Sequence, residues 1–189
     1  MAGEDRHSAA AGLLLAAGAG RRFGGPKQLA QLDGRPLIEH ALAALAGLDR
    51  VVVVLGARAD GIRAGAELGT AEIVVCPDWA EGMSASLRHG LDALAGVEEV
   101  VIVLADQPFI TAAVVARVRA VPGPAARAVY DGVPGHPVVV RRALLERAGE
   151  LRGDAGFRDL LEGAAEVECS DLADPHDVDI PGDLEVVQR

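Results

Sequence analysis

Four short runs of the chain are apolar at almost every position: 12–17 (GLLLAA), 51–55 (VVVVL), 72–76 (EIVVC) and 100–105 (VVIVLA). Runs without alternation are expected of strands in a parallel sheet whose two faces are both covered by helices. The stretches between them have helical period. Residues 37–46 (LIEHALAALA) put Leu37, Ala41 and Leu45, together with Ile38 and Leu42, on one stripe, and 84–94 does the same with Leu87, Leu91 and Leu94. Strand and helix alternating at this length predict a three-layer α/β fold around a doubly wound, mostly parallel sheet.

From position 121 the pattern changes to punctuation by Pro and Gly (VPGP, DGVPGHP, RGDAG, DIPGD), with short strands expected at 128–130, 137–140 and 166–169. No linker or internal repeat interrupts the chain. One domain over 12–189 is expected after a disordered tail at 1–11. Its second half, 111–189, would complete the sheet begun by 12–110 and form the far wall of a cleft.

Half of the 189 residues are apolar but only 3% are aromatic, so the core must be built from Ala, Val and Leu, and a surface for stacking nucleic-acid bases is not expected. The formal net charge of −10 also repels a phosphate backbone. A small phosphorylated ligand stays possible, because local donors and a cation reverse the field inside one cleft. Cys76 and Cys169 each sit in or beside an apolar run, which suits buried, reduced thiols. The first ten residues carry mixed charge without an apolar run, and no segment reaches the ~18 consecutive apolar residues of a membrane span. A cytoplasmic protein with no nucleic-acid or membrane partner is the expectation.

The strongest chemical signal lies at 13–27, LLLAAGAGRRFGGPK, an apolar strand running straight into a Gly-rich, basic turn. Small residues let backbone N–H groups approach an anion closely, and the cations of Arg22 and Lys27 would neutralise phosphate charge. The spacing of Gly18, Gly20 and Gly24 misses G-x-G-x-x-G because position 23 is Phe, and Pro26 breaks G-x-x-x-x-G-K. Asp106 follows the run 100–105 at the carboxyl end of a strand, where open α/β sheets gather their ligands. A carboxylate there suits Mg²⁺, which takes one or two carboxylates plus substrate and water. The competing role for Asp106 is capping a helix that begins near Ile110. For Asp177 and Asp179 it is marking the start of a helix at Pro181. Ser84 and Ser86 are placed to cap the helix opened by Gly82-Met83. His136, between Gly135 and Pro137, reads as a residue of a turn, either solvated or bonded to the backbone.

The pattern L-A-A-G-x-G-x-R-x-G-x-x-K resembles the opening signature of the nucleotidyltransferases that activate sugars, terpenoid precursors and molybdopterin. Further stretches, Gly82-Met83-Ser84-x-Ser86-Leu87, Asp106-Gln107-Pro108, Gly135-His136-Pro137, Gly153-Asp154-Ala155-Gly156 and Asp177-x-Asp179-x-Pro181-x-Asp183-Leu184, are similar to the molybdenum cofactor cytidylyltransferase group. The likeness spans about 12–187, with Ile180 where that group usually has Thr.

This resemblance implies a nucleotide-diphospho-sugar transferase-like fold and a Mg²⁺-dependent nucleotidyltransferase that uses CTP, binding it in 12–110 and molybdopterin in 111–189. It implies Arg22, Lys27 and Asp106 as catalytic residues and Leu15, Ala16, Ala17, Gly18, Gly20, Arg22, Lys27, Gly82, Ser84 and Ser86 around the nucleotide. Asp106 and Asp179 would hold the metal, with Asp177 close by, and Gln107, Gly135, His136 and Asp154 would face the acceptor. A molybdenum hydroxylase apoenzyme of the xanthine dehydrogenase type would be a partner. A guanylyltransferase, a transferase for another phosphorylated metabolite and a non-catalytic molybdenum cofactor carrier are the alternatives.

Overall fold

A computed structural model describes residues 10–153, 157 and 161–187. Its elements in chain order are β1 (Ala10–Ala16), β2 (Gln31–Leu32), β3 (Arg35–Pro36), α1 (Leu37–Ala43), β4 (Arg50–Leu55), α2 (Ala59–Gly65), β5 (Glu72–Val75) and α3 (Met83–Ala93). They continue with β6 (Glu99–Leu104), α4 (Ala112–Arg119), β7 (Ala125–Tyr130), β8 (Val133–Arg141), α5 (Arg142–Leu145), β9 (Ala165–Glu168) and α6 (Pro181–Val187).

The four all-apolar runs form β1, β4, β5 and β6, and these pair in parallel in the order β5-β4-β1-β6. The second half extends the same sheet with β8, β7 and β9. Of these only β8 is reversed, since β7 is antiparallel to β8 and parallel to β9. Burial explains the missing alternation. Leu14, Val53, Val101 and Val103 face one layer with α1, α2 and α4 residues such as Ile38, Ile62 and Val114. Leu13, Val52, Val54 and Ile102 face the other with Leu87 and Leu91 of α3. Both Cys76 and Cys169 are free and buried.

Glycine sets how closely two helical segments approach the sheet. A Cβ at Gly90 of α3 would stand 2.4 Å from Leu13 Cδ1 and 2.8 Å from Val54 Cγ2, and one at Gly12 of β1 would stand 2.9 Å from Leu45 Cδ1. α1 is shorter than the stripe 37–46 suggests. After Ala43 the chain tightens into i+3 bonds, Leu45 N–H to Leu42 O and Leu48 N–H to Leu45 O, which still bury Leu45 against the core.

The turn expected at Gly135-His136-Pro137 lies elsewhere. Asp131 (φ 50°) and Gly132 (φ 78°) take the hairpin turn, with Tyr130 opposite Val133, so His136 is inside β8. A register shift between Arg127 and Val129 accommodates the extra length of β8 there as a bulge.

Gly90→Ala gains helix propensity but forces a methyl group into Leu13 and Val54, both fully buried. Overpacking outweighs the gain, and a loss of roughly 1–2 kcal/mol is expected, read as a lower urea midpoint at unchanged slope. An unchanged or higher midpoint would show that α3 does not rest on the sheet this closely.

Candidate active site

β4 leaves β1 on one side and β6 on the other, so the strand order reverses at β1 and a crevice opens beyond its carboxyl end. A cleft of about 420 Å³ occupies this place, lined by the turn after β1, the end of β6, the segment around Gly82 and Asp179. The turn is folded on itself. Gly24 N–H donates to Gly20 O at 3.0 Å, and Gly20 has φ 61° with Gly25 O only 2.0 Å from where a Cβ would be, so no side chain fits there. Ala16 and Gly18 are held by Gln28, which donates its amide to both carbonyls at 2.8 Å and is 2% exposed.

Three elements distant in sequence meet at one ammonium group. Lys27 Nζ donates to Asp106 Oδ2 at 2.6 Å and to Asp179 Oδ1 at 3.1 Å, and Arg22 pairs with Asp179 Oδ2 at 2.9 Å. Burial pulls the Lys27 pKa down, but Asp106 and Asp179 outweigh it and hold the ammonium above its ordinary value. The charge therefore persists throughout the neutral range. Its pairing is complete below the unfolded-state value and is lost only as pH rises through the folded one.

Neither acidic position serves as a cap. α4 is capped by Thr111, whose hydroxyl accepts from Val114 N–H. The turn into α6 is closed by Asp183, which accepts from the N–H groups of Asp179 and Ile180 at 2.7 and 2.9 Å. Those two bonds hold the Asp183 carboxyl below the usual range. Asp183 leaves the Asp179 carboxylate free to face the cleft, with Ile180 contributing only its backbone. Val178 anchors the segment: its N–H donates to Asp106 O at 2.9 Å and its side chain is buried with Leu32 and Leu37.

Leu15, Ala16, Ala17, Gly18, Gly20, Arg22, Lys27, Gly82, Ser86, Asp106 and Asp179 all line this cleft. Ser84 does not. It is fully buried with its hydroxyl unpartnered, and its N–H donates to Gly153 O at 2.9 Å. Ser84 and Ser86 do not cap α3 either, because Gly82 at φ 112° takes the cap position without a side-chain bond. Gln107, Gly135, His136 and Asp177 gather instead in an adjoining pocket of about 340 Å³. Gln107 donates to Asp177 Oδ1 at 2.7 Å there, and burial pushes the His136 imidazole down to about 4, so it is neutral at pH 7. Asp154 lies outside the described residues.

Gln28 and Trp79 are cleft residues that sequence reasoning missed. Gln28 directly follows Lys27, a position that spacing alone does not mark. Trp79 is the sole tryptophan, three residues before Gly82, and lines the cleft.

The donor set suits a hard divalent cation. Asp106 and Asp179 converge on one point, and Asp106 Oδ1 is buried with no partner. Two carboxylates leave room for phosphate oxygens and water, as such ions require. No cluster of three or more His, Cys, Asp or Glu side chains able to hold a metal occurs among the described residues.

Fold and crevice define an α/β protein of the nucleotide-diphospho-sugar transferase type. Residues 12–169 match the MobA-like NTP transferase domain, and the chain belongs to that family. It is 36% identical over 185 residues to a protein of Paenarthrobacter nicotinovorans named nicotine blue oxidoreductase, covering 89% of this chain and 91% of that one. The crystal structure of the Mycobacterium tuberculosis Rv0371c homologue from Mycobacterium sp. strain JC1 superimposes with TM-score 0.82 at 33% identity, covering 95% of both chains. A manganese complex of Rv0371c from M. tuberculosis H37Rv gives TM-score 0.77 at 26% identity, over 94% of this chain and 97% of that one. No helix of the described residues is long and apolar enough to cross a membrane.

Lys27→Met removes the cation from between two carboxylates. Nucleotide affinity is expected to fall by roughly tenfold or more in calorimetry. Mn²⁺ should then raise the melting temperature of the variant more than that of the wild type, because the metal relieves the repulsion. Unchanged affinity and an equal Mn²⁺ response would remove Lys27 from the site.

Proposed function

We propose that this chain transfers CMP from CTP to the phosphate of molybdopterin, releasing pyrophosphate and forming molybdopterin cytosine dinucleotide. The observation that carries the reading is the meeting of Lys27, Asp106 and Asp179 at the carboxyl end of β1, beside a Gly-rich turn. Membership of the MobA-like NTP transferase family supports the reaction class. The choice of CTP and molybdopterin is supported by the likeness of the Gly82–Leu87 and Gly135–Pro137 stretches to the cytidylyl branch.

An oxygen of the acceptor's phosphate attacks the α-phosphorus in line, forming a new P–O bond as the bond to the β-phosphate oxygen breaks. Pyrophosphate leaves with that electron pair. A phosphate monoester is already anionic at neutral pH, so positioning and charge neutralisation carry the catalysis without a strong base. Arg22, largely exposed at the cleft mouth, and Lys27, half-buried beneath it, meet the triphosphate. Gln28 fixes the carbonyls of Ala16 and Gly18 within reach of the base. Asp106 and Asp179 would hold a divalent cation, Mg²⁺ in this reading, which would supply charge neutralisation for the phosphates. The adjoining pocket with Gln107, Gly135 and His136 is the acceptor side, and handover of the product to a molybdenum hydroxylase apoenzyme fits a cofactor that must be kept from solvent.

The relative named nicotine blue oxidoreductase favours a second reading, in which the same turn holds the pyrophosphate of a redox dinucleotide. One assay separates the two. Pyrophosphate release is measured with CTP, GTP, ATP and UTP in turn, with Mg²⁺ and molybdopterin, with and without molybdate, and in parallel with reduced nicotinamide cofactors. Release with CTP alone is expected. Release with GTP alone would move the chain to the guanylyl branch, and cofactor oxidation without release would make it an oxidoreductase. Asp106→Ala is expected to lower turnover roughly a hundredfold or more while the melting temperature stays within a few degrees; wild-type turnover would remove Asp106 from the mechanism.

A further inference from the structure

The cleft has two unlike ends. Lys27, Asp106 and Asp179 meet beyond β6, on one side of the β1 terminus. On the other side, beyond β4, the wall is made by Trp79 and Ala80. Neighbouring strands lie about 4.8 Å apart, so the two ends are separated by about 10 Å. That is a gap a ribose can bridge between a phosphate and a flat ring.

Trp79 owes its place to the residue beneath it. A Cβ at Gly56, the first residue after β4, would stand 2.6 Å from Trp79 Cβ, 2.7 Å from Trp79 Cγ and 2.8 Å from Ala17 O. The bare backbone at Gly56 therefore lets the root of the indole side chain down onto the end of β4. Two backbone bonds hold the surroundings, Ala57 N–H to Ala17 O at 3.0 Å and Gly82 N–H to Trp79 O at 3.3 Å. They tie the turn after β1 and the segment opening α3 to the same spot.

The side chain is only half-buried. It packs against the core layer that contains Leu13 and Val54, and it lines the cleft. Phe23, the other aromatic residue of the cleft, packs with Leu32, Leu37 and Val178, so the far end has one ring, that of Trp79. One ring does not make a surface for a nucleic-acid strand, but it is enough for one base.

We propose that Trp79 is the platform on which the base of the nucleotide stacks, held in place by Gly56. This rests on the nucleotide-binding reading of the cleft given above. Every base has a π face, so Trp79 contributes affinity without choosing among bases. It also stands at the end of the cleft away from Lys27 and Asp106, so its contribution is the same in the ground state and the transition state. Its loss raises KM and leaves kcat unchanged.

The test uses the full chain with Mg²⁺. Trp79 is the sole tryptophan, so the intrinsic indole emission reports on this one position. CTP is expected to quench it, and inorganic triphosphate, which has no ring, is not. Trp79→Leu keeps a Cβ and a Cγ to rest on Gly56 but removes the ring. It should bind CTP about tenfold more weakly in calorimetry, with a melting temperature close to that of the wild type, and Trp79→Phe should recover most of the loss.

CTP binding in calorimetry without quenching, equal quenching by CTP and inorganic triphosphate, or wild-type CTP affinity in Trp79→Leu overturns the inference and leaves the transferase reading intact. Quenching by CTP with no pyrophosphate released from any nucleotide leaves the platform standing and removes the transferase reading instead. No CTP binding at all overturns both.

Discussion

The crevice is organised around one ammonium group set between two carboxylates. Lys27 belongs to the turn after β1, Asp106 to the end of β6, and Asp179 to a segment 152 positions away in sequence. Two ionised carboxylates on one point of a half-buried cleft repel each other, and a cation between them offsets that repulsion. The same arrangement that closes the fold over its C-terminal segment therefore prepares a place where positive charge is required, whether lysine alone or lysine and metal supply it. In a chain with net charge −10, Arg22 and Lys27 bring positive charge to the crevice where the strand order reverses.

The supports of this cluster are mostly apolar or backbone. Val178 fastens the C-terminal segment by one N–H to Asp106 O and one buried side chain. Asp183 takes the two backbone N–H groups at the start of α6, so Asp179 is not spent on them. Gln28, inside the core, sets the direction of two carbonyls in the turn above it. Each leaves a charged or polar group of the cleft available for a ligand, and the cost falls on buried atoms such as Asp106 Oδ1 and Gln107 Oε1 that have no partner.

Much of this architecture is legible in the sequence, and for a physical reason. Strands buried on both faces must be apolar throughout, so β1, β4 and β6 announce themselves, and Asp106 inherits its place from the end of such a run. The Gly-rich turn is legible because Gly20 admits no Cβ. What escaped was set by tertiary contact. His136 looked like a turn residue because Gly and Pro flank it, but Asp131-Gly132 outcompetes it with two positive φ angles, and β8 absorbs the excess as a bulge. Ser84 looked like a cap, but Gly82 takes that position and the hydroxyl turns into the core. Gln28 acts on the carbonyls of Ala16 and Gly18, 12 and 10 positions away, which no local pattern records, whereas Asp183 bonds N–H groups only 4 and 3 positions before it.

The central claim is that the cleft holds a nucleoside triphosphate for attack at its α-phosphorus. It is tested most directly by following two labels in one reaction with Mg²⁺, molybdopterin and a reduced nicotinamide cofactor, one on the α-phosphate and one on the γ-phosphate of CTP. The account requires the α label to appear in the acceptor product and the γ label in pyrophosphate, at equal rates. If both labels stay in intact CTP while a reduced nicotinamide cofactor is consumed in the same mixture, the cleft serves electron transfer and the account is wrong.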